Sequence, residues 1–451
     1  MKLQKILSRL QKLHPKEIDL SLDRVQKLCK KLGNPQNDIN CIQVCGTNGK
    51  FGTIQALRAI LKEANYRCNI FTSPHIKRIN ERFVYNDKLI SDDELAKLLL
   101  EVEEINNGDP LTFFEALSAT FFHGCKKYKK NLSIIEFGLF GRADACNILD
   151  KNLANIVTSI GIDHLDWLPE KDRNIDRIIF EKTSSLLNSN IIIAKQNSIK
   201  ITECIKKTIK NNKANKIFYN EDYSFILKEN DFFYYEDHFG GLKIPRPNIN
   251  GQFQLENIST AIATLRILKN LDIKDIHIQK GVKKIYNIAR LEEIKSGKLK
   301  DLVKNNKLIV DGSHNEDGAR VLNQYLKTLE CNKHIIIGMM ANKWHEKYIS
   351  YFKNISSLTT IDIPNQPNAI GGKELKEKFK NIQNVKYQTS IENAIKSIKL
   401  KEKDLIIICD VGAYGMSLSS NYNVRPKPIE ILIKGSKINI IKKRQKLVDL
   451  I

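Results

Sequence analysis

The chain has 451 residues, enough for two or three domains and a substantial core. Its 42% hydrophobic and 27% charged residues exclude a disordered chain, a collagen-like chain and a small disulfide scaffold. The formal charge is +22, with 73 Lys and Arg against 51 Asp and Glu. Lysine is spread along the whole chain and gathers tightly only at Lys206 to Lys216 and at Lys442 to Lys446. That distribution reads as a solvated basic surface suited to polyanionic small molecules, not as a nucleic-acid or membrane interface. No apolar run approaches the roughly 20 residues of a spanning helix. The N-terminal segment MKLQKILSRLQKLHPKEIDL lacks the apolar core of a signal peptide, so a cytoplasmic protein is expected. The nine cysteines include no C-x-x-C pair and several sit in apolar runs, which reads as reduced, mostly buried thiols.

In chain order, Ile39 to Cys45 reads as a buried strand, followed by a Gly-rich turn and a helix from about Thr53 to Ala64. Cys68 to Phe71 is a second strand, Glu115 to Lys129 a helix, and Leu132 to Phe137, Ala154 to Ile160 and Asn190 to Ala194 further strands. This βαβ rhythm predicts an α/β fold with a mainly parallel sheet. Residues 218–244 alternate aromatic and polar residues and predict a small antiparallel patch, and a helix from about Glu256 to Leu271 closes the first unit. The Lys-, Gly- and Asn-rich stretch 292–307 is the expected linker. The rhythm then restarts with LIVDGSHN, HIIIGMM, LTTIDIP and DLIIICD. The expected domains are therefore 1–291, a linker at 292–307, a smaller Rossmann-like domain at 308–408, and a tail at 409–451.

Gly46-Thr47-Asn48-Gly49-Lys50 follows a strand and opens a helix. Backbone N–H groups in such a turn, together with a helix N-terminus, cradle an anion, and Lys50 can neutralise phosphate charge. The hydroxyl usually found directly after the lysine is displaced here to Thr53, because Phe51 and Gly52 intervene. Thr72-Ser73-Pro74-His75, Glu136 in EFGLFGRADACN, and His164 in GIDHLDWLP all lie at or just after predicted strand ends, with Lys182 further on in FEKTSS. In an open parallel sheet these ends gather along the ligand edge, where a carboxylate, an imidazole and a hydroxyl hold Mg²⁺ against a triphosphate. In the second unit Asp311-Gly312-Ser313-His314-Asn315 ends a strand, with Arg290 before the linker and Asn257 opening a helix. From the residues alone, a nucleotide role for each of these stands no better than a structural one.

Over roughly residues 1–408 the ordered motifs LHPKEIDLSLDR, GTNGK, TSPH, NERF, TFFEAL, EFGLFGRADACN, GIDH, EK, NGQFQLEN, ARLE, DGSHN and GMMANK resemble folylpolyglutamate synthase/dihydrofolate synthase, of the Mur ligase superfamily. The resemblance implies a P-loop Mur-ligase-type central domain with a Rossmann-like C-terminal domain. It implies an ADP-forming ligase that uses ATP as co-substrate and Mg²⁺, and that adds L-glutamate to dihydropteroate or reduced folates through an acyl phosphate. Carried over by position, Gly46, Thr47, Asn48, Gly49, Lys50, Thr53, Asn257, Arg290, Asp311 and His314 bind ATP. Ser73, Pro74, His75 and Arg82 bind the folate. Ser73, Glu136 and His164 hold the metal, and Lys182 matches a lysine that is carbamylated in the superfamily. Relatives imply a monomer. This sequence departs from the pattern where the family's GKGST reads GKFGT, where W-P-G-R reads Tyr286-Asn287-Ile288-Ala289-Arg290, and where D-K-D reads Asn342-Lys343-Trp344. Those departures leave a second reading open: an impaired nucleotide- or folate-binding remnant.

From about residue 409 the chain resembles the end of diaminopimelate decarboxylase, in DVGAYG followed by SNYNVRP. The family switches within one strand near Ile408, which reads as a fusion of two coding sequences. The barrel and Schiff-base lysine of that enzyme are absent, so no functional pyridoxal phosphate is expected, and the tail is expected to pack poorly.

Overall fold

The computed structural model describes residues 2–14, 19–229, 231–364, 366, 368–382, 384–410, 430–434 and 437–442. Tyr414 and most of the decarboxylase-like tail lie outside these residues.

The chain divides into two units, the first comprising residues 1–75 and 79–287, the second residues 76–78 and the chain from Ile288 onward. The first is built on eight strands: β1 (Asn40–Cys45), β2 (Cys68–Phe71), β3 (Phe83–Tyr85), β4 (Lys88–Leu89), β5 (Leu132–Glu136), β6 (Ala154–Val157), β7 (Asn190–Ile193) and β8 (Asn215–Phe218). Their order is β4-β3-β2-β5-β1-β6-β7-β8, parallel except that β3 pairs antiparallel with both β2 and β4. β1 is central, between β5 and β6. A parallel sheet covered on both faces needs strands apolar on both sides, and NCIQVC and LSIIE are buried almost throughout. Alternate residues feed two cores. Cys41, Cys45, Ile135 and Val157 join one, and Ile42, Val44, Ile134 and Ile156 the other. The second core is closed by Ile54, Leu57 and Ile60 of the Lys50–Glu63 helix and by Leu255, Ile258 and Ile262 of the Phe253–Ile267 helix.

The aromatic-polar alternation over 218–244 forms the three-stranded antiparallel sheet β9 (Tyr223–Glu229), β10 (Phe232–Asp237) and β11 (Gly240–Pro245). Phe233, Tyr235, Leu242 and Ile244 point into the second core. Two of the ordered motifs are structural. Thr112 and Glu115 of TFFEAL form a capping box on the Phe113–Cys125 helix, and Arg24 of LSLDR bonds the buried Glu115 carboxylate at 3.0 Å.

The second unit holds β12 (Glu292–Glu293), β13 (Lys307–Asp311), β14 (Lys333–Ile337), β15 (Ser357–Ile361), β16 (Val385–Gln388) and β17 (Leu405–Cys409). Their order is β12-β13-β17-β14-β15-β16, with only β12 antiparallel. The stretch 292–307, expected as a linker, is therefore part of this unit. It carries β12 and a Lys298–Val303 helix whose Leu299 and Val303 are buried in the core. The passage between units falls earlier, at Asn287 and Ile288. A further antiparallel ribbon pairs β18 (Glu430–Lys434) with β19 (Lys437–Lys442). All nine cysteines are free, seven of them buried. Among the described residues no helix is long and apolar enough to cross a membrane.

Candidate active site

The carboxyl ends of β1, β2, β5 and β6 lead into Gly46–Lys50, Ser73–His75, Glu136 and His164, while Lys182 and Asn257 lie on helices. After β1, Gly46 stands at φ 136° and Gly49 at φ 91°, conformations that disfavour a side chain. A Cβ at Gly46 would lie 2.0 Å from Thr158 Oγ1. Gly49 caps a helix that begins at Lys50, three residues earlier than the sequence predicts. The first amides of a helix lack intrahelical partners and carry the positive end of its dipole, so the geometry of this turn suits an anion.

The turn is stitched to the loop after β6. Thr47 N and Asn48 N donate to Ser159 O at 2.9 and 3.0 Å, and Thr47 Oγ1 donates to Gly161 O at 3.1 Å. That loop leads to His164, which sits in the left-handed region at φ 60° with its backbone N–H on Asp163 Oδ1. A non-glycine residue held there marks a segment over-determined by its surroundings. Ser159 lies outside the quoted motifs, and Gly161 opens GIDH without that motif revealing its bond to Thr47.

Glu136 ends β5 and is buried. Its Oε2 accepts from Ser73 N at 3.2 Å, and its Oε1 lies 3.8 Å from Lys50 Nζ. The structure thus joins the strand ends of β1, β2 and β5 through one carboxylate. Thr53 is turned inward, fully buried, with its hydroxyl donating to Gly49 O at 3.0 Å. Its proton is committed inside the helix, because a threonine there back-bonds to the carbonyl four residues earlier.

Lys182 is buried at the end of the Ile175–Thr183 helix and donates to Gly46 O at 3.0 Å and Leu139 O at 2.7 Å. Burial, and then the neighbouring Lys50 charge, push its ammonium down to about 7. The EFGLFGRADACN segment wraps this helix end. Gly141 N and Arg142 N donate to Glu181 O, the Arg142 guanidinium binds Glu181 in a two-pronged pair, and Asp144 accepts from Gly138 N, Leu139 N and Cys146 N. On the β2 side the Ser73–Pro74 peptide is cis. Arg82 Nε donates to His75 Nδ1 at 3.0 Å. Burial, and then the Arg82 charge, lower the His75 imidazole to about 4, so it is neutral and accepting.

Asn257 lies on the Phe253–Ile267 helix against the same turn: a Cβ at Gly49 would sit 2.5 Å from its Oδ1. In the second unit Arg290, Asp311 and His314 form a separate group. Buried Asp311 accepts from Leu291 N at 2.9 Å and Ser313 N at 3.0 Å. His314 Nδ1 meets Gly312 O at 3.0 Å, and Arg290 Nη1 donates to Ala289 O at 2.9 Å. Among the described residues no three His, Cys, Asp or Glu gather as a metal cluster. The predicted metal set contains two such residues and a serine.

Residues 293–410 match the family model of the Mur ligase glutamate ligase domain. The dihydrofolate synthase/folylpolyglutamate synthase of Escherichia coli is 28% identical over 353 residues, 77% of this chain and 79% of that one. The enzyme of the same name from Buchnera aphidicola of Acyrthosiphon pisum is 28% identical over 418 residues, 89% of this chain and 94% of that one. Among solved structures, E. coli FolC in complex with DHPP and ADP superposes with a TM-score of 0.80 at 26% identity, covering 90% of this chain and 94% of that one. With the P-loop, the strand-end carboxylate and the second α/β unit all in place, the chain is similar over most of its length to dihydrofolate synthase/folylpolyglutamate synthases, and its second unit matches the glutamate ligase domain of Mur ligases.

Proposed function

We propose that this chain is an ATP-dependent ligase that adds L-glutamate to a pterin-bearing carboxylic acid, dihydropteroate or a reduced folate, with release of ADP and phosphate. The observation that carries the reading is the Gly46–Lys50 turn, with Lys50 3.8 Å from the buried Glu136 carboxylate at the centre of the sheet edge. A carboxylate is a poor electrophile. Its oxygen attacks the γ-phosphorus of ATP, ADP leaves, and the acyl phosphate forms. The amine of glutamate then attacks the acyl carbon, and phosphate leaves. Such chemistry needs positioning and neutralisation of phosphoryl charge more than covalent help.

In this reading the amides of the Gly46–Lys50 turn hold the phosphates and Lys50 swings from its Gly46 O partner to a phosphoryl oxygen. Ser73, Glu136 and His164 would hold a magnesium ion, which supplies positive charge beside the transferring phosphoryl group. Oxygen donors from two adjacent strand ends suit a hard cation, and Ser73 N on Glu136 keeps those ends together. Lys182 has the amine that carbamylation requires: at a pKa of about 7 it is largely unprotonated in mildly alkaline solution. Ser73, Pro74, neutral His75 and Arg82 are assigned to the pterin-bearing substrate. Arg290 and His314 are assigned to the nucleotide on the resemblance, with Asp311 shaping their turn. The reading includes a monomer in the cytoplasm with small molecules, not nucleic acid or membrane, as partners.

The test is ADP release by the purified chain with ATP, Mg²⁺ and L-glutamate, with dihydropteroate and tetrahydrofolate in separate reactions. Release that requires both glutamate and a pterin is the expected result, and the preferred pterin names the activity. Nucleotide binding without such release would leave the impaired-remnant reading in its place.

A further inference from the structure

The loop after β5 meets Lys182 twice within three residues. Leu139 O accepts from Lys182 Nζ at 2.7 Å. Two residues on, a Cβ at Gly141 would lie 2.6 Å from Lys182 O and 3.3 Å from Glu181 O, backbone atoms that cannot turn aside. A side chain at 141 would lift the loop off the helix end. Gly141 N and Arg142 N donate to Glu181 O at 2.9 and 2.8 Å. The side chains add a second clamp. Arg142 Nε and Nη2 donate to Glu181 Oε2 and Oε1 at 2.9 and 3.0 Å, and Arg177 Nη2 lies 2.6 Å from the same Oε1. The Glu181 side chain is only 2% exposed, while that of Arg142 is 48% exposed. A buried carboxylate in a two-pronged guanidinium pair is held in direction as well as in distance.

The amine that this loop faces is itself oriented. Among the described residues Lys182 Nζ has two hydrogen-bond partners, Gly46 O at 3.0 Å and Leu139 O at 2.7 Å. An ammonium carries three N–H donors, and a neutral amine carries two and a lone pair. Two carbonyls match the neutral form. With both N–H groups spent, the lone pair points away from both oxygens. The amine value of about 7 agrees with that reading.

We infer that Glu181, gripped by Arg142 and Arg177, is a positioning residue for Lys182: it holds the Leu139 carbonyl against the helix end, so that Nζ spends both N–H groups and offers its lone pair to a small electrophile, carbon dioxide. In that step the lone pair bonds the carbon of CO2, one C–O π pair passes to oxygen, and an Nζ proton leaves to water. The product is a carbamate that keeps one N–H for a carbonyl. The inference rests on the carbamate assigned to Lys182 above and names what prepares its amine.

The test uses cyanate on the full chain at pH 7. Its neutral form, isocyanic acid, is a linear triatomic like CO2, and it adds to a free amine to leave a stable urea that peptide mass spectrometry counts at each lysine. At pH 7 about half of an amine with the Lys182 value is free, against fewer than about 1 in 1,000 for an ordinary lysine. Even with access slowed by burial, Lys182 is expected to react about tenfold faster than the exposed lysines. Arg142→Ala is expected to lower the Lys182 rate about fivefold and leave the other lysines unchanged, the scale of one charge-assisted hydrogen bond. Arg142→Lys, which keeps the charge and loses the fork, should fall between the two. Arg177→Gln is the second variant, and thermal unfolding confirms that each chain is folded. A Lys182 that reacts no faster than the exposed lysines overturns the inference, as does a Lys182 rate that is unchanged or faster in both Arg142→Ala and Arg177→Gln. A loosened fold alone would expose Lys182 and raise its rate, so the sign separates positioning from mere support. The label needs no turnover. A chain that reacts selectively at Lys182 but releases no glutamate-dependent ADP sinks the ligase reading alone.

Discussion

Two parallel sheets in this molecule each end in a carboxylate at a strand tip, and the two carboxylates do opposite work. Asp311, at the tip of β13, is saturated by the backbone: both its oxygens accept amides, from Leu291 and Ser313. Glu136, at the tip of β5, accepts one backbone amide and faces a lysine at 3.8 Å. The first holds a turn in shape. The second holds a charge beside an anion cradle. The adjoining glycines differ in the same sense. Gly46 is locked by backbone conformation and by Thr158, whereas a Cβ at Gly312 would press closely only on the movable end of Arg290, at 2.7 Å, and touch Ala289 O at an ordinary 3.4 Å. A polar residue at a strand tip is thus a candidate for chemistry where a lysine and an anion-shaped turn face it, and a turn anchor where adjoining amides take both its oxygens.

The largest effect that bears on this contrast is on rate. Lys50→Met and Glu136→Gln are each expected to lower glutamate-dependent ADP release by on the order of 100-fold or more, the scale of removing one preorganised charge from a phosphoryl-transfer site. Their urea unfolding midpoints should stay near that of the parent chain. A Glu136→Gln variant that unfolds much earlier yet turns over normally would place Glu136 in the same class as Asp311.

Gly46→Ala comes next. At φ 136° and 2.0 Å from Thr158 Oγ1 it is expected to cost about 3 kcal/mol of stability, with Gly312→Ala costing less than about 1 kcal/mol. Adding Thr158→Ala to Gly46→Ala should recover only part of the loss, because the Thr158 carbonyl carbon stays 3.1 Å away and the dihedral is unchanged. Equal costs at the two glycines, measured by urea unfolding, would erase the distinction between a locked and a yielding turn. Asp311→Ala follows, at about 2 kcal/mol for two amides left without their acceptor. Its ADP release should fall far less than that of Glu136→Gln.

The strands were legible because a sheet buried on both faces demands runs such as CIQVC and LIIIC, whose meaning is local. The helix start at Lys50 was misread by three residues because its cap is a left-handed glycine, not one of the side-chain caps that mark most helix starts. The misread linker has a related cause. Its Lys- and Gly-rich composition hides β12, whose two residues become a strand only by pairing with Ile309 and Val310. The site shows the same division. Glu136, Lys50 and Ser73 announce themselves at strand ends, and the structure brings them together. The bonds from Thr47 to Gly161 and from Asn287 to Gln254 join residues distant in sequence, and no local pattern encodes them. Lys182 was named through the family, but only burial reveals what is unusual about its amine.

That amine gives the subtlest prediction. Its folded-state pKa of about 7 lies below the ordinary lysine value of 10.5, because burial and Lys50 both oppose the charge. Between those two values the unfolded chain binds a proton that the folded chain does not. Stability attributable to Lys182 therefore rises with pH across that window, by up to about 1.4 kcal/mol per unit, and its penalty is greatest below pH 7. Lys182→Met removes the titration. Its urea midpoint should exceed that of the parent chain at pH 7 by more than at pH 9, both measured in carbonate-free buffer. Parallel midpoints would mean that the lysine keeps its charge in the folded state, through an anionic neighbour or water reaching Nζ. The site would then lack the neutral amine that sets its buried lysine apart from an ordinary structural one. With bicarbonate present the same comparison gains a second use. A carbamate on Nζ replaces a largely neutral amine by an anion beside Lys50, so the parent midpoint should rise with bicarbonate at pH 8 while that of Lys182→Met stays fixed.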